Sequence, residues 1–358
     1  FQTIEITNFY LGGSSCFRLG KLVYRQTGWL PLGLSIPQSL LSMKFFDICT
    51  KALVPTNGIK LEVYEAGKGG IPIVLCHGWP ELAFSWRHQI PTLIEMGFHC
   101  IVPNLRGYGN SSKPTEVDSY NAVNLSEDLN GLLDHYGLER AFFVGHDWGA
   151  WLLWHYALLH KNRVYGLINL SVPFRPRDLS DPIEFWEKVL GEDFYMVHFN
   201  KKPNLAVSSF NKNPERVLRN LYRTEHWLDD EKKDDSYNII KSGDVDYNVG
   251  KLAMSDEELK VFVDVFSRGG FEAPCNWYRN ISRNWRLMEG VPQTIEINTL
   301  MIYGKYDMVP KVDMSESVKN LDIVTLDCGH WIQQEKPRET NEALSKWLNV
   351  QKVNYGFL

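Results

Sequence analysis

One stretch, residues 142–151, constrains the fold of this chain more than any other. An apolar run at 141–144 predicts a buried strand, Gly145 and Gly149 bracket a short turn, and the pattern over 150–159 predicts a helix. This is the layout of a nucleophile elbow, in which small residues let the helix and the strand approach closely. The residue at the centre of the turn takes a strained backbone conformation and projects at the end of the sheet.

The central residue of the turn is Asp147, not a serine or a cysteine. A carboxylate is ionised near neutral pH and needs no base to act as a nucleophile. Attack on an ordinary ester or amide would form a reactive anhydride. Attack on a strained ring, or displacement at an alkyl carbon, forms an alkyl ester instead. The motif alone equally suits a surface aspartate in a glycine-flanked loop, so the rest of the chain must decide.

Short apolar runs alternate with helical patterns on both sides of the elbow. Strands are predicted at 51–55, 60–66, 71–76, 99–103, 164–170, 297–303 and 322–326, and helices at 86–96, 121–136 and 337–348. Asn57-Gly58, between the first two strands, indicates a hairpin. The alternation predicts an α/β fold with a mostly parallel, doubly wound sheet.

The alternation stops between residues 175 and 290, which are polar, aromatic and helical in texture, without a strand pattern. We therefore predict a helical cap at 175–290, inserted after the sixth strand of an α/β core at 52–174 and 291–358. Residues 1–51 form an N-terminal extension that is rich in aromatic and small residues.

Composition excludes several classes of function. The chain has 358 residues, 44% of them hydrophobic, which is enough for a substantial core. The net charge of −5 and the dispersed basic residues argue against a nucleic-acid partner. The 6 cysteines show no spacing typical of zinc, which favours a reduced intracellular chain without a metal.

The cellular location is predicted from the length of the apolar runs in the sequence. No run approaches the roughly eighteen apolar residues of a membrane span. We expect a cytoplasmic chain, or a membrane-associated (microsomal) one if an N-terminal anchor preceded Phe1. Membrane contact is expected only through the N-terminal region, and no feature of the sequence sets an oligomeric state.

Two further residues complete a catalytic constellation with Asp147. An ester on a carboxylate must be hydrolysed, and histidine is the best base near neutral pH. Asp307 and His330 each follow a predicted strand, and catalytic groups of open α/β sheets gather at the carboxyl ends of strands. The chain order matches nucleophile, acid and base. Asp307 would orient the imidazole, although Asp313 lies close by and His330 could be a hydrogen-bonded loop residue.

A turn-like motif, His77-Gly78-Trp79-Pro80, ends the third predicted strand. The backbone N–H groups of Trp79 and Trp148 could form an oxyanion hole, each typically worth about 3–4 kcal/mol. A tight turn at Trp79-Pro80 suits a cis peptide bond. For His77 and His146 we expect hydrogen-bonded supporting roles. No metal or organic cofactor is implied, because nucleophile, acid and base are all side chains.

Five motifs together resemble the epoxide hydrolases of the α/β-hydrolase fold, over residues 52–350. They are His77-Gly78-Trp79-Pro80, Arg106-Gly107-Tyr108-Gly109, Gly145-His146-Asp147-Trp148-Gly149, Asn276-Trp277-Tyr278-Arg279-Asn280 and Asp327-Cys328-Gly329-His330-Trp331. The similarity is greatest to the hydrolase domain of the soluble enzymes of animals and to their N-terminally anchored relatives. It implies addition of water to an epoxide to give a vicinal diol, through an ester on Asp147.

The resemblance also implies a pair of cap tyrosines, Tyr278 and Tyr195, that activate the epoxide oxygen. Two neutral phenols can donate to the oxygen as it becomes an alkoxide. The aromatic and aliphatic residues of the cap predict that the substrate is bound by burial of its apolar surface. We therefore expect lipid-like epoxides, such as epoxy fatty acids or isoprenoid epoxides. The expected substrate-binding residues are Phe194, Phe199, Trp277 and Trp331.

Two alternatives remain. A haloalkane or haloacid dehalogenase shares this elbow and fold, and Trp79 and Trp148 could bind a halide through their indole N–H groups. The cap tyrosines argue against it, since a halide needs no proton. The second alternative is a non-catalytic binding protein of the same fold, against which the intact Asp147, Asp307 and His330 argue.

Overall fold

The computed structural model describes residues 45–225, 239–247 and 250–357. Most of the predicted extension, 1–51, lies outside the described residues. The part of the chain from Ser39 to Leu358 forms one compact unit.

The described part of the chain contains ten strands and, besides a helical segment at 45–48, twelve α-helices. The strands are β1 (Thr50–Thr56), β2 (Ile59–Ala66), β3 (Ile71–Cys76), β4 (Phe98–Asn104), β5 (Ala141–His146), β6 (Val164–Leu170), β7 (Arg223–Thr224), β8 (Lys251–Leu252), β9 (Thr299–Gly304) and β10 (Leu321–Leu326). The helices are α1 (Ile90–Glu95), α2 (Ala122–His135), α3 (Trp148–Leu159), α4 (Pro182–Leu190), α5 (Tyr195–Lys201), α6 (Pro203–Lys212), α7 (Pro214–Leu221), α8 (Asp256–Gly269), α9 (Glu272–Cys275), α10 (Ile281–Leu287), α11 (Ile332–Glu335) and α12 (Pro337–Asn354).

One sheet organises the core, with strand order β1-β2-β4-β3-β5-β6-β9-β10. The pairs from β4 through β10 are parallel, while β1–β2 and β2–β4 are antiparallel. Strands β4, β5 and β9 are buried along their whole length, as expected for parallel strands covered on both faces. The strand order reverses between β3 and β5, and ligands of such sheets bind beyond the carboxyl ends of strands at that point.

The predicted eight-stranded α/β sheet and the insertion after the sixth strand are confirmed. The hairpin at Asn57-Gly58 is confirmed too, with φ of 40° and 72° at its two central residues. Those two positive values are typical of a type I′ turn, whose twist matches that of the flanking strands. The predicted helix at 86–96 is shorter in the structure, because Pro91 lies in its first turn at 90–95 and a separate 3₁₀ turn covers Ala83–Trp86.

The prediction that 175–290 contains no strand is wrong. Strands β7 and β8 pair as an antiparallel ribbon, with Arg223 opposite Leu252 and Thr224 opposite Lys251. Each strand has only two residues, which is too short for an alternating pattern, and the partners are far apart in the sequence. The longer elements that the structure describes in this segment, from α4 to α10, are helices, and we call 175–290 the cap, with bounds that remain a prediction.

The described residues provide neither a membrane-spanning helix nor a metal-binding cluster. None of their helices is long and apolar enough to cross a membrane. No group of three or more His, Cys, Asp or Glu side chains in the described part of the chain could hold a metal ion.

Candidate active site

Asp147 lies in the sharp turn between β5 and α3. Its φ of 51° and ψ of −119° are a strained combination for a residue with a side chain. A Cβ atom on Gly145 would lie 2.7 Å from the backbone nitrogen of Ala150, and one on Gly149 would collide with the carbonyl oxygen of Cys76. Glycine at both positions therefore lets the helix pack against the strands and turns Asp147 outward, as the sequence predicts.

The carboxylate of Asp147 faces the loop that follows β3. The backbone N–H of Trp79 donates to its Oδ1 atom over 2.8 Å. The N–H of Trp148, at the start of α3, is a second hydrogen-bond donor to the same carboxylate. The structure thus brings the two predicted oxyanion donors together, and the Trp79–Pro80 peptide bond is cis.

Burial raises the pKa of Asp147, although the neighbouring histidines and the two backbone donors act in the opposite direction. Gly78 makes room for this carboxylate, because a Cβ atom there would lie 2.7 Å from Asp147 Oδ1.

His330 lies between two carboxylates. Its Nδ1 atom is 3.0 Å from Oδ1 of Asp307, and its Nε2 atom is 3.8 Å from Oδ2 of Asp147. Burial disfavours the charged imidazole, but Asp307 and then Asp147 outweigh it and raise the pKa of His330 to about 9. The Asp307 carboxyl is also buried, yet His330 lowers its pKa to about 2. Asp307, not Asp313, is therefore the acidic partner of the imidazole.

The two predicted cap tyrosines lie side by side. Tyr195 is the first residue of α5 and Tyr278 begins the 3₁₀ turn Tyr278–Asn280, and their ring centroids are 5.9 Å apart. The Tyr278 ring lies 4.7 Å from that of Trp148, next to the elbow. Burial, Tyr195 and Asp147 raise the pKa of Tyr278 well above its usual value. The Tyr278 phenol therefore stays protonated near neutral pH and can act as a donor.

The four predicted substrate-binding aromatics differ in position. Phe199 is fully buried, with its ring 5.0 Å from that of Tyr278 and 5.7 Å from that of Trp79. Trp277 lies 6.0 Å from Trp148, and its indole donates to the backbone carbonyl of Arg106. Phe199 thus packs beside Tyr278 and Trp79, and Trp277 packs beside Trp148.

The other two residues make different contacts. Phe194 contacts Tyr195 and the ring of Trp186. Trp331 packs on the His330 ring at 4.8 Å, but its indole N–H donates to the cap carbonyl of Leu221. The indole N–H of Trp331 therefore binds the cap backbone, while its ring packs beside the base.

Sequence reasoning missed two residues beside the site. Glu81 is fully buried, and its Oε2 atom accepts from the N–H of Gly78 at 2.7 Å and lies 2.6 Å from Nδ1 of His146. Burial opposes its charge, but His146 outweighs it and lowers the pKa of Glu81 to about 2. In the sequence, the one indication of a role for Glu81 was the position of this acidic residue directly after Trp79-Pro80.

The second missed residue is Ser171, at the carboxyl end of β6 with a φ of 73°. Its hydroxyl oxygen lies 3.2 Å from Nδ1 of His330, and its hydrogen bond to Asp307 helps to lower the pKa of that carboxyl. The supporting roles expected for His77 and His146 agree with their contacts: Nε2 of His77 accepts from the N–H of Leu105, and Nε2 of His146 lies 2.8 Å from the carbonyl oxygen of His330.

Comparison with known proteins gives a consistent result. The family model described as "alpha/beta hydrolase fold" matches residues 71–337. Epoxide hydrolase A of Mycobacterium tuberculosis is 38% identical over 315 residues, which cover 84% of this chain and 97% of that protein. The chain belongs to the epoxide hydrolases of the α/β-hydrolase fold. The predicted family and enzyme class are confirmed.

Other epoxide hydrolases extend the comparison. Bifunctional epoxide hydrolase 2 of Rattus norvegicus is 35% identical over 308 residues, and the match spans 83% of this chain but only 55% of the rat protein. The crystal structure of epoxide hydrolase A from Mycobacterium thermoresistibile has a TM-score of 0.78 and 37% identity, and covers 84% of this chain and 98% of its own. These three proteins are all named as epoxide hydrolases, and none of the three is named as a dehalogenase.

Proposed function

We propose that this epoxide hydrolase works in two steps, through an alkyl ester on Asp147. The observation that carries the proposal is the placement of the Asp147 carboxylate: Oδ1 accepts a backbone N–H, while Oδ2 lies on the side of His330 and is 3.8 Å from its Nε2 atom. A carboxylate with one oxygen held by donors presents the other oxygen for attack.

In the first step, Oδ2 of Asp147 attacks an epoxide carbon and the ring C–O bond breaks. The released oxygen becomes an alkoxide, and Tyr278 and Tyr195 donate a hydrogen bond or a proton to it. The high pKa of Tyr278 keeps this donor protonated before the ring opens. Without such donors, an alkoxide in a dry site would be costly.

In the second step, His330 takes a proton from water as the water attacks the ester carbonyl carbon. The resulting negative charge develops on the carbonyl oxygen, which faces the N–H groups of Trp79 and Trp148. Collapse of this intermediate breaks its bond to the alkyl oxygen, which takes the proton from His330 and leaves as part of the diol. The new carboxylic acid then loses its proton, which restores the Asp147 carboxylate and replaces any proton that a tyrosine gave in the first step. Asp307 orients the imidazole and stabilises its charged form.

His330→Gln tests the division into two steps. Ring opening needs no base, whereas ester hydrolysis does, so the variant should form the ester stoichiometrically and turn over very slowly. Intact-protein mass spectrometry should detect one added epoxide mass, located on the peptide that contains Asp147. His135→Gln, at an exposed position of α2, is the matched control and should turn over normally. Full turnover by His330→Gln would assign the base elsewhere.

For the substrate, we propose lipid-like epoxides such as epoxy fatty acids or isoprenoid epoxides. The walls beside Asp147 are aromatic, with Phe199, Trp277 and Trp79 all nearly or fully buried. The polar groups proposed to act here, Asp147 and the two phenols, all interact with the epoxide ring itself. The rest of the substrate would then be bound by burial of its apolar surface. At about 25 cal/mol per Å² of apolar surface, a long chain gains much more than a short one.

A homologous series of alkyl epoxides tests this substrate class. We expect kcat/KM, measured by diol formation, to rise with chain length and to be higher for epoxy fatty acids than for epoxides of a few carbons. A specificity that stays flat or falls with length would refute the lipid assignment and leave the chemistry at Asp147 intact.

A further inference from the structure

A single carboxylate holds the loop that carries His330. The backbone N–H of Gly329 donates to Oε2 of Glu335 at 2.9 Å, and the N–H of Trp331 donates to Oε1 at 2.9 Å. Gly329 and Trp331 flank His330 in the sequence. Glu335 therefore binds the backbone on both sides of the imidazole, and any shift of this carboxylate moves the imidazole with it.

The same carboxylate also contacts the cap. The hydroxyl group of Thr224 donates to Oε2 of Glu335. Thr224 is 8% exposed and lies in the β7–β8 ribbon, opposite Lys251. The ribbon thus places a cap hydroxyl on the side chain that shapes the loop of His330.

A second contact between cap and loop lies next to the first. The indole N–H of Trp331 donates to the carbonyl oxygen of Leu221 at 2.9 Å, and the Tyr222 ring packs on Trp331 at 4.4 Å. The hydroxyl of Tyr222 donates to the carbonyl oxygen of Pro80 at 2.9 Å, in the loop that carries the Trp79 donor. The end of α7 and strand β7 therefore contact both loops that surround Asp147.

From these contacts we infer that Glu335 and Thr224 are positioning residues that couple the cap to the base of the second step. The inference rests on the proposed role of His330. The carboxylate binds the two N–H groups, and the cap hydroxyl holds the carboxylate, so the imidazole stands where it can take a proton from the hydrolytic water. Ring opening needs no base, so this coupling acts on ester hydrolysis and not on alkylation.

Glu335→Gln tests the inference directly. One carboxylate oxygen becomes an amide NH₂ group, and a donor then faces one of the two backbone N–H groups. In rapid-quench single turnovers with an epoxide that the wild-type protein converts, we expect ester decay to slow at least about ten-fold while ester formation stays within about two-fold, because small misplacements of a catalytic group are costly. In the steady state, kcat and KM should then fall together and kcat/KM should stay unchanged.

Thr224 provides a second variant that leaves the carboxylate in place. Thr224→Val keeps the side-chain shape and removes the hydroxyl, and should slow ester decay roughly three-fold, the scale of one hydrogen bond. Thr224→Ser restores the hydroxyl and should return the rate towards wild type. Glu339→Gln is the matched control for the charge change, because the Glu339 side chain pairs with Arg338 at the protein surface, and should behave as wild type.

Two results would overturn the inference. One is normal ester decay in both Glu335→Gln and Thr224→Val. The other is a loss of kcat/KM in proportion to kcat, which would indicate a general distortion of the site. Failure of the proposed function looks different, because no ester would then accumulate in the wild-type protein or in His330→Gln.

Discussion

The Nε2 atom of His330 lies 3.8 Å from the Oδ2 atom of Asp147. The negative charge of Asp147 is therefore one of the influences that, against burial, raise the pKa of His330 to about 9. An ester on Asp147 carries no charge, so alkylation removes this influence and lowers the pKa of the imidazole. In the proposed mechanism, the first step thus converts His330 from a charged partner of the nucleophile into the base that the second step needs.

The pH dependence of the second step follows from this change. Hydrolysis needs the neutral imidazole, so its rate should rise with pH through the pKa that His330 has in the ester. We expect the midpoint of the single-turnover hydrolysis rate to lie below 9, the approximate pKa of His330 in the free protein. An NMR titration of the His330 imidazole provides the free-protein value, and a hydrolysis midpoint at or above it would contradict the argument.

Asp307→Asn should shift the pH profile of ester hydrolysis to lower pH. Asp307 raises the pKa of His330 more than Asp147 does, so its loss lowers that pKa and moves the hydrolysis midpoint to lower pH. The plateau rate should also fall, by about two to four orders of magnitude, because the imidazole loses the acceptor that fixes its tautomer. Asp313→Asn, at an exposed carboxyl, is the control. An unchanged midpoint in Asp307→Asn would show that Asp307 does not set the pKa of the base.

The tyrosine pair provides a test of the first step. Tyr195→Phe and Tyr278→Phe should each slow alkylation, by about 10-fold to 100-fold, and the double variant by about 10⁴-fold, since a positioned acid typically contributes 10²–10⁴-fold. Tyr355→Phe, near the end of α12, is the control. A double variant that opens epoxides at the normal rate but loses binding of a haloalkane would favour the dehalogenase alternative.

The substitution Gly78→Ala tests how tightly the Asp147 carboxylate is packed. A Cβ atom at this position would lie 2.7 Å from Oδ1 of Asp147. Gly78→Ala should therefore displace the carboxylate or the Trp79 donor and reduce kcat/KM by about 100-fold, the scale of a misplacement near 1 Å. Gly269→Ala is the control, because its Cβ atom would meet only the flexible end of Lys113. Wild-type activity in Gly78→Ala would show that the site tolerates the shift.

Sequence reasoning predicted most of the sheet and the centre of the site. The inner parallel strands, such as β4, β5 and β9, appear as apolar runs, because parallel strands are buried on both faces. Asp147, Asp307 and His330 could be found because each follows a predicted strand, and the sheet brings the carboxyl ends of its strands together. The contacts of Trp79 and Trp148 with Asp147 follow from the same geometry.

The residues that support the site were missed for a physical reason. Each makes at least one contact that only the tertiary structure brings about: Glu81 with His146, Ser171 with His330, and Glu335 with Thr224. The β7–β8 ribbon has two residues in each strand, and no periodicity can reveal it. The predicted role of Trp331 in substrate binding stays a prediction, and no feature of the sequence indicated that its indole donates to Leu221 in the cap.

The most direct test of the ester on Asp147 is a single turnover in heavy-oxygen water, with the enzyme in excess over the epoxide. If Oδ2 of Asp147 attacks the ring, the new hydroxyl oxygen of the diol comes from the carboxylate. The diol of the first turnover should then carry no label, and mass spectrometry of the peptide that contains Asp147 should show one heavy oxygen. Label in the diol of the first turnover, with none in the peptide, would mean that water attacks the epoxide directly and would contradict the account.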